Sequence, residues 1–424
     1  MNKLSKLVNS IQFDLDESEK KELDKQVRKL IRELSKNLKQ YKMKAIPFVG
    51  GSYSKGTIIK KRAYDIDVFI RFDKKYFESQ YLKLNDVTKK VAEVFGGKWE
   101  KVHGSRDYYR IILDDKIIFE IIPVIKIRKP EETDNVIDLS YFHVNYMKKK
   151  LTKSMQKEVK IAKVFLSSNE LYGAESYIQG FSGYSLECLM LKYKSFYKML
   201  QELTKKNEKI FIDYEKYYKN KNEAFVNMNE SKIQGPLIVI DPTWKSRNVT
   251  AALSFETFIK FQEVARDFIR KPKVSYFIKK KFSLEDLQEF CKEMKAEIVK
   301  IKIHTSKQEG DIAGTKMKKA FKFITKQIEK QFNVLRKYFI YNSGKTAEIY
   351  IAAKSKRAIT INGPPVKMQK SVDAFKGKHK RVFNKSGKLY AIEPVSEDLK
   401  EHIKKEFLNS KELNSMSITK IEVI

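Results

Sequence analysis

From Ser18 to Gln40 the apolar residues Leu23, Val27, Leu30, Ile31, Leu34 and Leu38 recur at helical spacing with charges between them, which predicts an amphipathic helix. An apolar run, Ala45 to Val49, follows and is broken by Gly50-Gly51-Ser52; a second β-rich run covers Asp65 to Phe72. Tyr108 to Leu113, the turn Asp114-Asp115, and Lys116 to Ile127 form a predicted hairpin. Helix, strand, glycine turn, strand and hairpin together describe a small mixed α/β sheet domain ending near residue 140.

Beyond Pro130 the pattern turns helical, with Ser154 to Ser168, Ser182 to Leu203 and Ser254 to Arg270 as the clearest segments, the last opened by a Ser254 N-cap. Thr204 to Asn229 is largely polar and suits a loop. After Lys271-Pro272 short strand signals return around one long helix, with a core face of Met317, Phe321, Ile324, Ile328, Phe332 and Leu335. Its other face carries Lys316, Lys319, Lys322, Lys326 and Lys330. The fold class is therefore multidomain α+β, divided into a mixed-sheet region 1–140, a helical central region 141–265 and an α+β C-terminal body and tail, 266–424.

Composition supports several cores and narrows the partner. At 424 residues with 42% hydrophobic side chains, the chain can bury more than one core. It carries 87 Lys and Arg against 53 Asp and Glu, a formal charge of +34. Such a surplus repels itself in a compact fold and points to an anionic partner, nucleic acid first; a membrane surface or a lysine-rich proteome would leave the same mark. Cys188 and Cys291 are the only cysteines and offer neither a disulfide framework nor metal-ligand spacing. With no signal-like stretch from Met1 to Asp16 and no long apolar run, a soluble, cytoplasmic protein is expected, with no membrane partner.

Asp65 and Asp67 are two residues apart on a predicted strand, so both carboxylates face one side. They repel unless a cation sits between them, and Mg²⁺ ions held by oxygen ligands are the usual resolution in enzymes that displace pyrophosphate. The plainer alternative is a solvated pair on an edge strand. Upstream, Gly51, Ser52 and Lys55 in Gly50-Gly51-Ser52-x-x-Lys55-Gly56-Thr57 combine backbone approach, a hydroxyl and a point charge, as a triphosphate cradle would; an ordinary turn is the alternative. Glu120 is the single acid in the apolar strand Lys116 to Ile127, and a charge there needs a reason.

The glycine–serine turn followed by Asp65-x-Asp67 resembles the signature of the DNA polymerase beta-like nucleotidyltransferase superfamily, and Glu120 stands where its third carboxylate, usually Asp, is expected. Further along, Leu171-Tyr172-Gly173-Ala174-Glu175, Gly180-Phe181-Ser182-Gly183-Tyr184-Ser185-x-Glu187, Ile240-Asp241-Pro242 with Arg247-Asn248-Val249, Ala252-Leu253-Ser254 and Gly363-Pro364-Pro365-Val366 are similar to motifs of archaeal-type (class I) CCA-adding enzymes, in the same order. That resemblance implies a polymerase-beta-like head, Asp65, Asp67 and Glu120 as Mg²⁺ ligands, and Ser52, Lys55, His143, Lys163 and Tyr172 around a triphosphate. Arg247 would read the base, CTP and ATP would be substrates, and the tRNA acceptor arm and 3′ end the partner; a homodimer is compatible with it. From Ile351 to Tyr390 eleven Lys and Arg face a single acid, Asp373, with Phe375, Phe383 and Tyr390 interleaved. The resemblance makes this the tRNA grip; a solvated lysine face is the plainer reading. A poly(A) polymerase, an oligoadenylate synthetase-like enzyme and a non-catalytic RNA-binding relative remain as alternatives on the same core.

Overall fold

The computed structural model describes residue 7 and residues 10–205, 209–279, 281–394 and 398–424. The stretch Met1 to Asp16 and the polar stretch Thr204 to Asn229 therefore lie partly outside the described residues. The chain forms two compact units, Met1–Ala174 with Ile178–Lys280, and Glu175–Tyr177 with Lys281–Ile424.

The first unit opens with α1 (Glu17–Gln40), started by a capping box between Asp16 and Glu19. Then come β1 (Ala45–Val49), the one-turn α2 (Gly51–Ser54), β2 (Tyr64–Asp73), α3 (Leu84–Phe95), β3 (Lys98–Val102), β4 (Tyr108–Leu113) and β5 (Ile117–Lys126). The sheet order is β1-β2-β5-β4-β3, with β2 and β5 parallel and every other pair antiparallel. Period-two alternation divides the side chains of the two central strands. Ile66, Val68, Ile70, Phe72, Phe119 and Ile121 bury against α1 and α3 through Leu23, Val27, Leu30, Val87 and Val91. Asp65, Asp67 and Glu120 consequently fall on the opposite face.

A second core gathers around α4 (Ser140–Lys150), α5 (Lys153–Ser168), α6 (Gly183–Tyr193), α7 (Phe196–Thr204) and α8 (Phe255–Arg270). Phe165 lies 5.2 Å from Phe196 and 5.3 Å from Phe268, ring centre to ring centre, and Phe181 lies 5.0 Å from Phe261. The segment Ser182 to Leu203 is two helices, not one: Lys194 adopts a left-handed φ of 63° and Ser195 is extended, which ends the first helix and starts the next. Ser254 caps α8, accepting from the Thr257 amide. This region also holds a three-stranded sheet of β6 (Ile210–Ile212), β7 (Leu237–Asp241) and β8 (Trp244–Asn248), and the polar stretch from Thr204 contributes both β6 and a short helix, Lys221–Asn227.

The second unit contains α9 (Leu284–Met294), β9 (Glu297–Thr305), α10 (Asp311–Gln331), β10 (Phe332–Tyr341) and β11 (Thr346–Ser355). The chain then forms β12 (Ala358–Pro365), α11 (Gln369–Lys378), β13 (Val382–Lys385), β14 (Lys388–Pro394), α12 (Leu399–Phe407) and β15 (Ile418–Val423). One antiparallel sheet, β10-β11-β9-β15, packs against Met317, Ala320, Phe321, Ile324 and Ile328 of α10. The expected helical face is too long by its last two members. Phe332 is extended at the helix end, and it and Leu335 belong to β10, where pairing with β11 supplies the backbone partners; Leu335 sits at a bulge between Val334 and Arg336. Lys319, Lys322, Lys326 and Lys330 are exposed and Lys316 is half-buried. The second sheet, β12-β14-β13, carries α11, with Phe375 against Gly363. Among the described residues no helix is long and apolar enough to cross a membrane.

Candidate active site

The parallel register of β2 and β5 sets Asp67 beside Glu120 and Asp65 beside Ile118. The Gly50 amide donates to the Asp67 carbonyl at 2.8 Å, pulling the glycine turn on to the strand. Gly51 has φ +60°, and a Cβ there would lie 1.7 Å from Asp67 Oδ2. Only glycine permits that approach. Asp65 is half exposed, with Lys61 Nζ 3.8 Å away. Asp67 is half-buried, and burial first, then the charge of Glu120, raise its carboxyl to about 6 against the opposing pull of Lys55. Burial also raises Glu120, although the Arg110 guanidinium, whose Nε donates to Glu120 Oε1 at 2.9 Å, opposes this.

Ser52 and Lys55 occupy α2 and its end, and Lys55 is buried. Its Nζ meets Glu187 Oε2 at 2.6 Å, while Thr57 Oγ1 donates to Glu187 Oε1 at 2.8 Å. Lys163, from α5, donates to the Thr57 carbonyl at 2.8 Å. Burial lowers Lys163 to about 8, with Glu187 opposing the shift and Lys55 reinforcing it. A Cβ at Gly183 would lie 3.0 Å from the Tyr172 hydroxyl and 3.7 Å from Lys163 Nζ, so these two groups meet at the start of α6. The fold thus gathers Lys55, Lys163 and Tyr172 around the glycine turn and α6.

His143 and Arg247 belong to an adjoining cluster. His143 Nε2 lies 3.0 Å from Asp241 Oδ2, Arg247 Nη1 donates to the same oxygen at 2.7 Å, and the Tyr184 hydroxyl donates to Oδ1 at 2.9 Å. His143 stacks on Tyr184 at 4.1 Å. Burial lowers the His143 imidazole, with the hydrogen bond and charge of Asp241 opposing. Burial would raise Asp241, but His143 and then Arg247 outweigh it and hold the carboxyl well below the usual range.

The sequence alone assigns no role to Glu187, Thr57, Tyr184 or Asp241. Glu187 carried a usable signal, a lone acid within the apolar helix Leu186 to Leu191, the same reason that singled out Glu120. Asp241 likewise ends the apolar strand Leu237-Ile238-Val239-Ile240. A cavity of about 1140 Å³ lies against α2 and is lined by Leu23, Tyr53, Lys55 and Gln156 among others, not by Asp65 or Asp67.

Residues 157–278 match the family described as tRNA nucleotidyltransferase, second domain. The chain is 33% identical to the CCA-adding enzyme of Nanoarchaeum equitans over 350 residues, covering 81% of this chain and 83% of that protein. The chain belongs to the CCA-adding enzyme family. The CCA-adding enzyme of Methanocaldococcus jannaschii is 28% identical, over 80% of this chain and 76% of its own. A solved structure of Cid1, described by its RNA terminal uridylyl transferase activity, superposes with a TM-score of 0.50 at 13% identity, over 66% of this chain and 97% of that one, and supports the nucleotidyltransferase fold alone.

Membership of the CCA-adding family makes the chain a nucleotidyltransferase and implies a divalent-metal-dependent transfer. Among the described residues no group of three or more His, Cys, Asp or Glu side chains stands close enough to hold a metal ion together; Glu120 is drawn towards Arg110. The carboxylates still suit a cation. Asp65, Asp67 and Glu120 share one face, and burial first, with the charges of Glu120 and Asp65 behind it, raises Asp67, a cost that a bound cation relieves.

Proposed function

We propose that this protein adds C, C and A to the 3′ end of tRNA from CTP and ATP without a template, releasing pyrophosphate. The observation that supports this reading is the close seat of the Gly51 turn on Asp67, which brings the glycine turn and the carboxylate face together. Residues 1–140 would carry the chemistry, 141–265 the nucleotide contacts and 266–424 the RNA grip, in the cytoplasm.

Asp65, Asp67 and Glu120 would hold Mg²⁺, which when bound neutralises charge on the reacting phosphate and lowers the pKa of the attacking hydroxyl. The primer's 3′ oxygen bonds to the α-phosphorus as the bond to the bridging oxygen breaks, and that electron pair leaves on pyrophosphate. Ser52, Lys55, Lys163 and Tyr172 would hold the triphosphate as donors. His143, with Nε2 committed to Asp241, has Nδ1 left for the triphosphate and would donate from it as the imidazolium. Arg247 would read the base, since its planar fork can satisfy acceptors on both cytosine and adenine. The direct test is incorporation of labelled CTP into a tRNA transcript lacking its 3′ CCA, with and without Mg²⁺. Transfer only with the ion supports the reading, and absence of transfer under both conditions refutes it.

Lys163 gives this pocket a pH dependence. Free, it loses its proton near pH 8; a bound triphosphate would raise that pKa. Below pH 8 the lysine is charged in both states, so affinity through this group is flat. Above pH 8 binding must take up a proton, and affinity for CTP should fall by up to about tenfold per pH unit until the bound lysine also titrates. Titration of CTP binding between pH 6.5 and 9.5 checks this, and Lys163→Arg, charged throughout, should flatten the curve.

On the second unit, Lys376, Lys378, Lys380 and Arg381 are exposed on and just after α11, while Phe383 and Tyr390 stack on the adjoining sheet at 5.6 Å. We assign this surface to the RNA backbone. Each neutralised phosphate contributes roughly 0.7 to 0.9 to the slope of log K against log salt, so replacing three of the four should reduce the slope by about 2. CTP binding should be unaffected. Fluorescence titrations of tRNA at several salt concentrations measure the slope, and an unchanged value returns these residues to a solvated lysine face.

A further inference from the structure

Asp241 closes β7 with its side chain wholly buried. Oδ1 accepts from the Tyr184 hydroxyl at 2.9 Å and from both the amide and the hydroxyl of Thr243 at 2.8 Å. Oδ2 faces His143 Nε2 at 3.0 Å and Arg247 Nη1 at 2.7 Å. A buried carboxylate is costly unless charge and hydrogen bonds compensate it. Two of the compensating groups, His143 and Arg247, also border an open space. Arg247 keeps 24% of its side chain accessible, and with His143, Ser105, Asn135 and Ser140 it lines an open recess of about 620 Å³.

The Tyr184 ring joins this recess to the glycine turn. Its centre lies 5.7 Å from the Arg247 guanidinium and 5.6 Å from Lys55 Nζ, and His143 stacks on it. A nucleotide with its phosphates at Lys55 can therefore present its base to Arg247. Of the five guanidinium donors, Asp241 engages Nη1, which fixes the plane of the fork and the directions of the others. Fixed donors discriminate between bases; a freely turning arginine would satisfy acceptors on any of them.

We propose that Asp241 is a positioning residue for nucleobase choice: it locks the Arg247 fork, together with the His143 ring, on the wall of the recess where the incoming base is read. This rests on the assignment of Arg247 as base reader given above. Asp241 need not touch the nucleotide. Its loss would act through Arg247, leaving the charge of the guanidinium in place but not its direction.

The test measures kcat/KM for CTP, ATP, UTP and GTP on a tRNA lacking its 3′ end, in wild type, Asp241→Asn, Arg247→Lys and the double variant. Wild-type preference among the four nucleotides tests the CCA reading. Loss of whatever preference the wild type shows tests the role of Asp241. Asp241→Asn should erode discrimination by about 10- to 100-fold while tRNA affinity stays unchanged, and adding Arg247→Lys should cost little more, because the two act as one unit. A merely structural Asp241 would lower kcat for all four nucleotides in proportion and combine additively with Arg247→Lys, and either result overturns the proposal. Should Asp241→Asn not fold, Tyr184→Phe removes one donor from Oδ1 and leaves the Asp241–Arg247 bond in place; it should relax the preference in the same direction by roughly threefold. Unchanged preference in that variant also overturns the proposal.

Discussion

Asp67→Ala is expected to reduce nucleotide addition by about 10² to 10⁴, since one charged ligand of a catalytic ion supplies several kcal/mol of barrier reduction. The position leaves little to take over its work: Asp67 sits between Gly51 on one side and Glu120 on the next strand. Because Asp67 belongs to the first unit and the basic surface around α11 to the second, tRNA affinity should hardly change. Single-turnover rates with saturating enzyme, paired with a tRNA binding titration, separate the two. Turnover near wild type with Mg²⁺ as the sole divalent ion would remove the carboxylate face from the mechanism.

Glu187→Gln should destabilise the first unit by about 3 to 5 kcal/mol, the range for stripping one partner from a buried pair. Glu187 and Lys55 are almost wholly enclosed and meet at 2.6 Å, and Lys163 lies beside the same Thr57. Without the glutamate charge two buried ammonium groups would face each other. The urea midpoint of the full chain should fall, and saturating CTP should restore part of the loss because the triphosphate supplies the missing negative charge. A midpoint within error of wild type would mean that the pair is solvated and not the buried link described here.

Much of this arrangement is legible in the sequence. Period-two alternation at Ile66, Val68 and Ile70 put Asp65 and Asp67 on the opposite face of a strand, and the structure has that alternation with Glu120 in register. Short-range signals succeeded where one residue type decides the backbone, as at Ser254 capping α8. They failed where tertiary pairing decided. The helical spacing through Phe332 and Leu335 continued past Gln331, yet β11 captured those residues as strand. Lys194 in a left-handed conformation split one predicted helix into two, and nothing about a lysine signals that. The partners of Lys55 and Arg247 were hidden for another reason: Glu187 and Asp241 are distant in sequence from the groups they hold, or lie on the far side of a turn, and only folding brings them together.

The most direct measurement is the sequence of the product formed on three tRNA transcripts, ending before the first C, after CC, and after CCA, with CTP and ATP supplied singly and together. The account predicts two C residues from CTP alone on the first, one A from ATP alone on the second, no extension of the third, and a complete CCA on the first when both are present. A homopolymer of A or U, or continued growth past CCA, would contradict it.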